Sequence, residues 1–236
     1  MKAIILFFVL LLNQCSFSAD DYKIVYKKIG EENNALNYSI AVRYPQIKDM
    51  KNKDIQKNFN DYVYTLISNE VDTFKASMRQ WESSMNYGSE FAISDTIFFK
   101  SDSLISIRFN GYSYYSGAAH PNTFFISLNY DLKQSKVLSL SDMFSEGYLK
   151  KISDICVDEL TKRFEAGADL NWINEGAGPK EDNFKVFNLT EKRLLITFHA
   201  YQVAPYVAGP QEVEINYSKL TDIINPSGPL AKFIKQ

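Results

Sequence analysis

The sequence contains few of the residues from which catalytic and metal-binding sites are usually built. Its 236 residues include only two histidines and two cysteines. A zinc peptidase needs two histidines one helical turn apart, whereas His120 and His199 lie far apart along the chain. The chain also has no Gly-x-Ser-x-Gly elbow, no phosphate-binding Gly-x-x-x-x-Gly-Lys-Ser/Thr loop and no dinucleotide-binding glycine pattern. These absences exclude several large classes of hydrolase and nucleotide-binding protein, and we expect no cofactor and no metal.

An excess of charge of either sign is also missing. The chain has 26 basic and 28 acidic side chains, for a net charge of −2. Dedicated nucleic-acid binders usually carry a strong basic excess, so no nucleic-acid partner is expected. An acid pair for glycoside hydrolysis stays open, because any two of the carboxylates can meet in the fold.

The longest apolar run lies at the start of the chain. Lys2 is followed by ten apolar residues, 3–12, whereas a membrane-spanning helix takes roughly 20 residues. The run has the length of a secretory signal, and the small residues Ser16 and Ser18 precede an expected cleavage before Ala19. We therefore expect residues 1–18 to be a signal peptide and the mature protein to be periplasmic or extracellular, without a transmembrane span. Lipoprotein processing at Cys15 is the alternative.

Removal of the signal leaves a single cysteine, Cys156. It lies among Leu149, Ile152 and Leu160 at helical spacing. This pattern predicts a buried, unreactive thiol rather than a nucleophile.

Hydrophobic periodicity predicts strands, a long helix, further strands, a second helix and more strands. The expected strands are 22–29, 36–44, 105–114, 124–131, 137–140, 184–189, 193–199 and 212–217, and the expected helices are 51–81 and 146–164. The apolar stripe predicted for the long helix is Ile55, Phe59, Tyr62, Leu66, Val71, Phe74, Met78 and Trp81. Alternation of apolar and polar residues is typical of antiparallel sheets. The predicted fold class is therefore α+β, a mostly antiparallel sheet packed by one long and one shorter helix.

Two tyrosine-rich segments, 111–122 and 201–209, contain the candidate binding residues. In the first, three tyrosines precede a turn of small residues that leads to His120. The second is an irregular loop stiffened by Pro205 that is able to pack against the first. Tyrosine combines an apolar ring with a polar tip suited to protein or sugar ligands. The candidates are Tyr112, Tyr114, Tyr115, His120, Asn122, Tyr201 and Tyr206. A purely structural interpretation stays open, in which His120 fixes the turn by a hydrogen bond.

A set of short motifs runs through the second half of the chain. It comprises Tyr-x-Tyr and Gly-x-Ala-His-Pro within 112–121, Asn-Tyr-Asp-Leu at 129–132, and the segments 138–144, 198–209 and 213–217. Together these motifs resemble a family of bacterial envelope domains. The family includes the extracellular part of the lysozyme-sensing anti-sigma factor RsiV and the non-catalytic N-terminal region of PdaC-type peptidoglycan deacetylases. Ala118 departs from the pattern, because the family often has a second glycine there.

The resemblance implies a domain organisation and a function. Residues 19–88 are expected to form a strand–strand–helix, PdaC-like subdomain, and residues 89–236 an α+β domain like the C-terminal part of RsiV. The implied function is a secreted, non-catalytic envelope module that binds c-type lysozyme or peptidoglycan. No membrane anchor or sigma-binding region is recognised, so the signalling role of RsiV is not expected. An envelope hydrolase acting on cell-wall glycan, with an acid pair or a metal site, is the alternative.

Overall fold

The protein folds into a six-stranded sheet followed by a smaller, three-stranded sheet. A computed structural model describes residues 22–81, 87–164, 167 and 169–231. The expected signal peptide and Cys15 lie outside these described residues. The first part contains β1 (Lys23–Asn33), β2 (Tyr38–Lys48), α1 (Lys53–Met78), β3 (Ser89–Lys100), β4 (Leu104–Tyr114), β5 (Asn122–Asp131) and β6 (Lys136–Val137). The second contains α2 (Leu140–Met143), α3 (Tyr148–Phe164), α4 (Leu170–Ala177), β7 (Phe187–Leu189), β8 (Arg193–Phe198) and β9 (Gln211–Asn216).

The six strands of the large sheet follow one another in chain order. All neighbours are antiparallel except β2 and β3, which pair in parallel from Tyr38 opposite Ser89 to Val42 opposite Ile93. A parallel pair needs a long crossover connection, and α1 supplies it. The sheet therefore spans the expected domain boundary at residue 88.

Helix α1 covers one face of this sheet. The Asn52 side chain caps its start by accepting hydrogen bonds from the backbone N–H groups of Asp54 and Ile55, at 3.0 and 3.2 Å. Its buried residues recur every three or four positions and pack on apolar side chains of β2, β3 and β4. They are Phe59, Val63, Ile67, Val71, Phe74 and Met78.

The opposite face of β4 and β5 meets the second part of the chain through buried polar side chains. The Asn188 amide donates to Ser106 Oγ at 3.0 Å, and the Asn129 amide donates to the carbonyl oxygen of Phe187 at 2.9 Å. Behind this junction, α3 and α4 pack on the three-stranded sheet in a second apolar core. Cys156 is fully buried in that core, as the helical spacing predicted.

The predicted α+β class with a mostly antiparallel arrangement is confirmed, but several details differ. The strands form two sheets instead of one. β3 was not predicted, and a helix, α4, lies between the expected helix 146–164 and the expected strand 184–189, where neither helix nor strand was predicted. The strand expected at 137–140 ends at Val137, because Leu140 begins α2. Phe184, expected to begin a strand, ends a short 3-10 helix.

The stripe predicted for α1 was partly wrong. Tyr62 is 39% exposed and Leu66 only half-buried, while their neighbours Val63 and Ile67 are buried against the sheet. Trp81 lies beyond the end of the helix and is 43% exposed. Because α1 carries apolar residues on two adjacent faces, the sequence did not determine which face packs on the sheet. The structure shows that the face bearing Val63 and Ile67 does so.

Candidate functional site

The two tyrosine-rich segments meet in an aromatic stack. The rings of His120 and Tyr206 lie 4.1 Å apart, centroid to centroid, with an interplanar angle of 25°. Tyr201 continues the stack at 5.4 Å from Tyr206. We call these three residues the loop cluster. The second segment thus packs against the first, as the sequence allowed.

Hydrogen bonds to one carbonyl oxygen fix the orientation of two of these rings. Pro121 O accepts from the Tyr206 hydroxyl at 3.1 Å and lies 2.9 Å from His120 Nδ1. A carbonyl oxygen only accepts, so Nδ1 is the protonated nitrogen in this contact.

Hydrogen bonds of the Gln202 side chain fix the position of the loop 199–209. Its amide donates to the carbonyl oxygens of Gly176 and Asn183, both at 2.9 Å, and its carbonyl oxygen accepts from His199 N at 3.0 Å. Trp172 Nε1 also donates to the carbonyl oxygen of Tyr201 at 2.8 Å. These bonds compensate for the left-handed backbone of Tyr201, whose φ is +68°. The loop cluster is consequently preorganised.

The loop 201–209 exposes apolar side chains. Tyr201 is 53% exposed and Val207 is 93% exposed. Exposed aromatic and aliphatic side chains close to polar groups are typical of binding surfaces for proteins or sugars.

The remaining sequence candidates lie apart from the stack. Tyr112 and Tyr114 are half-buried on β4, opposite Ala92 and Glu90 of β3. Asn122 is exposed at the start of β5. Within the described part of the chain, their side chains form no hydrogen bond or ring contact with the loop cluster.

Tyr115 belongs to the core instead of the stack. Its ring lies 5.6 Å from that of Phe74 and 5.1 Å from that of Trp81, between the end of α1 and the sheet. Trp81 Nε1 in turn donates to the carbonyl oxygen of Ser116 at 3.0 Å. This placement gives Tyr115 a packing role.

Sequence reasoning did not single out Arg108, which connects the two sheets beside His199. The guanidinium lies between the rings of Phe98 and Phe125, at 5.1 and 5.0 Å, and donates to Thr197 Oγ1 at 2.9 Å. It also forms an ion pair with Glu212. The sequence offered one signal, a charged residue within a strand of alternating apolar and polar residues. The same pattern is equally typical of a solvent-exposed arginine.

His199 is half-buried next to this connection. Its ring lies 5.7 Å from that of Phe125. Burial lowers the pKa of His199 below its usual value, so the neutral imidazole is the favoured form.

The described residues contain no group of three or more His, Cys, Asp or Glu side chains able to hold a metal ion together. Among these described residues, His120 contacts Pro121, Tyr201 and Tyr206, none of which carries a carboxylate. Within the same described ranges, no helix is long and apolar enough to cross a membrane.

Two parts of the chain are similar to domains of known proteins. Residues 29–123 match the model of the domain described as deacetylase PdaC, and residues 141–218 match the protein family of unknown function DUF3298. The chain is 31% identical over 195 residues to the peptidoglycan-N-acetylmuramic acid deacetylase PdaC of Bacillus subtilis, a match covering 81% of this chain. These matches show a PdaC-like domain followed by a DUF3298-like domain in the chain. The chain spans 40% of the length of that relative.

Solved structures of DUF3298 proteins share the fold. One from Bacteroides fragilis superposes with a TM-score of 0.70 at 17% identity, covering 92% of this chain and 98% of its own. Another, from Pseudomonas aeruginosa, gives a TM-score of 0.60 at 20% identity, covering 87% and 96% of the two chains. At these identities the likeness establishes the architecture of this chain and nothing about its ligand.

Proposed function

We propose that the protein is a secreted, non-catalytic module of the bacterial cell envelope that binds peptidoglycan through the loop cluster. The observation that carries the proposal is the preorganised, partly exposed stack of His120, Tyr206 and Tyr201. Aromatic rings held in place by hydrogen bonds offer flat apolar faces to sugar rings and lose little conformational freedom on binding. The relative from Bacillus subtilis is named for an action on peptidoglycan, which supports this choice of ligand.

Two other functions are alternatives that the same experiments test. Binding of c-type lysozyme is implied by the family resemblance, and a protein ligand would also suit exposed tyrosines. Hydrolysis of cell-wall glycan would need an acid pair or a metal-bound water.

The test begins with purified chain from residue 19 onward, sedimented with insoluble peptidoglycan. We expect the wild-type protein to sediment, and Tyr206→Ala to bind about ten-fold more weakly because the stack collapses. Tyr206→Phe keeps the ring but loses the hydrogen bond to Pro121 O, so its loss should be smaller. Tyr64→Ala is the matched control, since this tyrosine is 52% exposed on α1 and lies outside the stack.

Parallel assays separate the alternatives. Calorimetry with c-type lysozyme measures a protein ligand, and release of reducing sugars from peptidoglycan measures hydrolysis. A wild-type protein that stays in the supernatant would overturn the proposal. Lysozyme binding or sugar release would then identify the function that replaces it.

A further inference from the structure

A groove separates the edge of the large sheet from the small sheet, away from the loop cluster. Its volume is about 930 Å³ and it is open to solvent. This is near the upper end of the roughly 300–1,000 Å³ typical of ligand-binding clefts. It is lined by Ile24, Tyr26, Ile97, Phe98, Phe99, Lys100, Thr190, Glu191, Lys192, Arg193 and Glu214. We call it the inter-sheet groove.

An irregularity in β3 gives this groove consecutive aromatic side chains. The pairing of β3 with β4 shifts register between Ile97 and Phe99. A bulge of this kind redirects side chains that regular alternation would place on opposite faces. Phe98 and Phe99 consequently both line the groove, and Phe98 also contacts the Arg108 guanidinium.

The ring of Tyr26, the third aromatic ring of the groove, packs against an arginine that belongs to a partly buried ion pair. Tyr26 is 46% exposed, and the guanidinium carbon of Arg43 lies 4.3 Å from its ring centroid. Arg43 Nη2 lies 3.2 Å from Asp95 Oδ1, and the Asp95 side chain is only 1% exposed. Tyr26 is therefore positioned before any ligand arrives, which reduces the entropy lost on binding.

Charged side chains surround the aromatic floor. The turn 190–193 is fixed by Thr190 Oγ1, which accepts from the backbone N–H groups of Lys192 and Arg193 at 3.3 and 2.9 Å. Arg193 pairs with Glu214, whereas Lys192 makes no ion pair within the described ranges. Lys192 thus presents an ammonium group beside aromatic rings.

We propose that the inter-sheet groove is a second binding site, which takes an acidic glycan strand. Sugar rings stack on Tyr26 and Phe98, and a carboxylate of the strand pairs with Lys192. An open groove suits a polymer that enters and leaves at its ends, whereas small molecules are usually enclosed. The inference rests on the proposed function, since peptidoglycan is the acidic glycan it names.

The inter-sheet groove and the loop cluster lie at opposite ends of β8. The groove contacts the start of β8 at Arg193, and the loop cluster follows its end at Phe198. Six strand residues span about 20 Å. A strand long enough to reach both sites gains affinity by avidity, so binding should strengthen with the length of the glycan.

The test measures sedimentation with insoluble peptidoglycan, and calorimetry with soluble peptidoglycan oligosaccharides of increasing length. We expect Tyr26→Ala and Lys192→Gln each to weaken binding about ten-fold, and Lys192→Gln to reduce its salt dependence. Tyr26→Phe keeps the ring and should bind like wild type. Tyr64→Ala and Lys180→Gln are matched controls outside the groove. Asp95→Asn tests the positioning of Tyr26 and should weaken binding of oligosaccharides without changing the salt dependence.

Two outcomes would overturn the inference, and they are distinguishable. If wild-type protein binds peptidoglycan and the folded variants Tyr26→Ala and Lys192→Gln bind equally well, the groove is not a site, although the proposed function survives. If wild-type protein binds neither insoluble peptidoglycan nor the oligosaccharides, the proposed function fails together with the groove. Thermal unfolding of each variant establishes that its fold is intact.

Discussion

Gly176 lies where the backbone of α4 touches the loop that bears Tyr201 and Tyr206. A Cβ atom at this position would lie 1.8 Å from the carbonyl oxygen of Gln202, closer than any van der Waals contact allows. Gln202 in turn donates to the carbonyl oxygen of Gly176. The geometry of the loop cluster therefore depends on the absence of one side chain.

Gly176→Ala should displace the loop 199–209 and destabilise the protein by about 2 kcal/mol, since overpacking typically costs 1–3 kcal/mol. Urea unfolding measures this loss. Gly167→Ala is the control, because nothing lies within 4 Å of a Cβ atom there. Equal stability of the two variants would show that the loop accommodates the methyl group easily.

His199 makes stability depend on pH. Burial lowers its pKa in the folded protein below the usual 6.5, whereas the unfolded chain keeps that value. As pH falls through about 6.5, the unfolded state binds a proton that the folded state resists, so stability decreases. Stability contributed by neutral His199 is thus present above this range and lost below it.

We expect His199→Gln to flatten the dependence of unfolding free energy on pH between about 5 and 7. Urea unfolding of wild type and variant at several pH values in this window measures the difference. A variant whose curve runs parallel to that of wild type would contradict the assignment.

At the scale of elements, α1 depends on its cap as well as on its buried stripe. Asn52→Ala removes two hydrogen bonds to backbone N–H groups and should cost about 1 kcal/mol of stability. Asn69→Ala, at an exposed position within the same helix, should instead be neutral or stabilising by less than about 0.7 kcal/mol. Thermal unfolding compares them, and equal losses would rule out a capping role.

The elements with a single clear periodicity were predictable from the sequence. Alternation in 105–114 and 124–131 predicted β4 and β5, and helical spacing around Cys156 predicted α3. β3 was missed because three consecutive apolar residues, Ile97, Phe98 and Phe99, hide the alternation. The strand shifts register at these residues. α4 was missed because glycines at 167, 176 and 178 favoured a loop, although Asp169 caps the helix by accepting from Asn171 N and Trp172 N.

The candidate site was predictable only in part, because distance along the chain conceals contact in space. Both segments of the loop cluster were identifiable by their tyrosines. The sequence did not show whether an individual tyrosine faces a ligand or packs on the core. Tyr115, for example, packs against Phe74. Arg108, Gln202 and the inter-sheet groove depend on contacts between residues far apart in sequence, which no local pattern reports.

At the scale of the whole molecule, buried polar contacts make the two sheets interdependent. Ser106 Oγ accepts from both the Asn188 amide and Leu189 N at 3.0 Å in a buried contact. An exposed bond from Ser127 Oγ to the carbonyl oxygen of Lys185, at 3.0 Å, adds to it. Separation of the sheets would expose apolar surface and break these bonds together. Both proposed sites use residues from each sheet or its loops, so their geometry depends on this junction.

The two tryptophans provide a probe for each part of the molecule. Trp81 contacts the large sheet through Tyr115 and Ser116, while Trp172 lies on α4 and contacts the loop 199–209. Fluorescence of Trp172→Phe therefore reports unfolding around the large sheet, and that of Trp81→Phe reports the second part.

In each variant we expect the urea transition followed by fluorescence to coincide with that followed by circular dichroism, because the junction makes unfolding a single cooperative transition. Adding Arg108→Met to each variant removes the bonds to Thr197 and Glu212 while keeping much of the apolar volume between Phe98 and Phe125. It should lower both midpoints together, by an amount equivalent to about 2 kcal/mol. Lys150→Gln, which disrupts only an exposed ion pair with Asp154, should leave both unchanged. If the fluorescence of Trp172 instead changed at lower urea than the circular dichroism of the same variant, the second part would unfold independently, and a ligand bridging both sites would be expected to merge the two transitions.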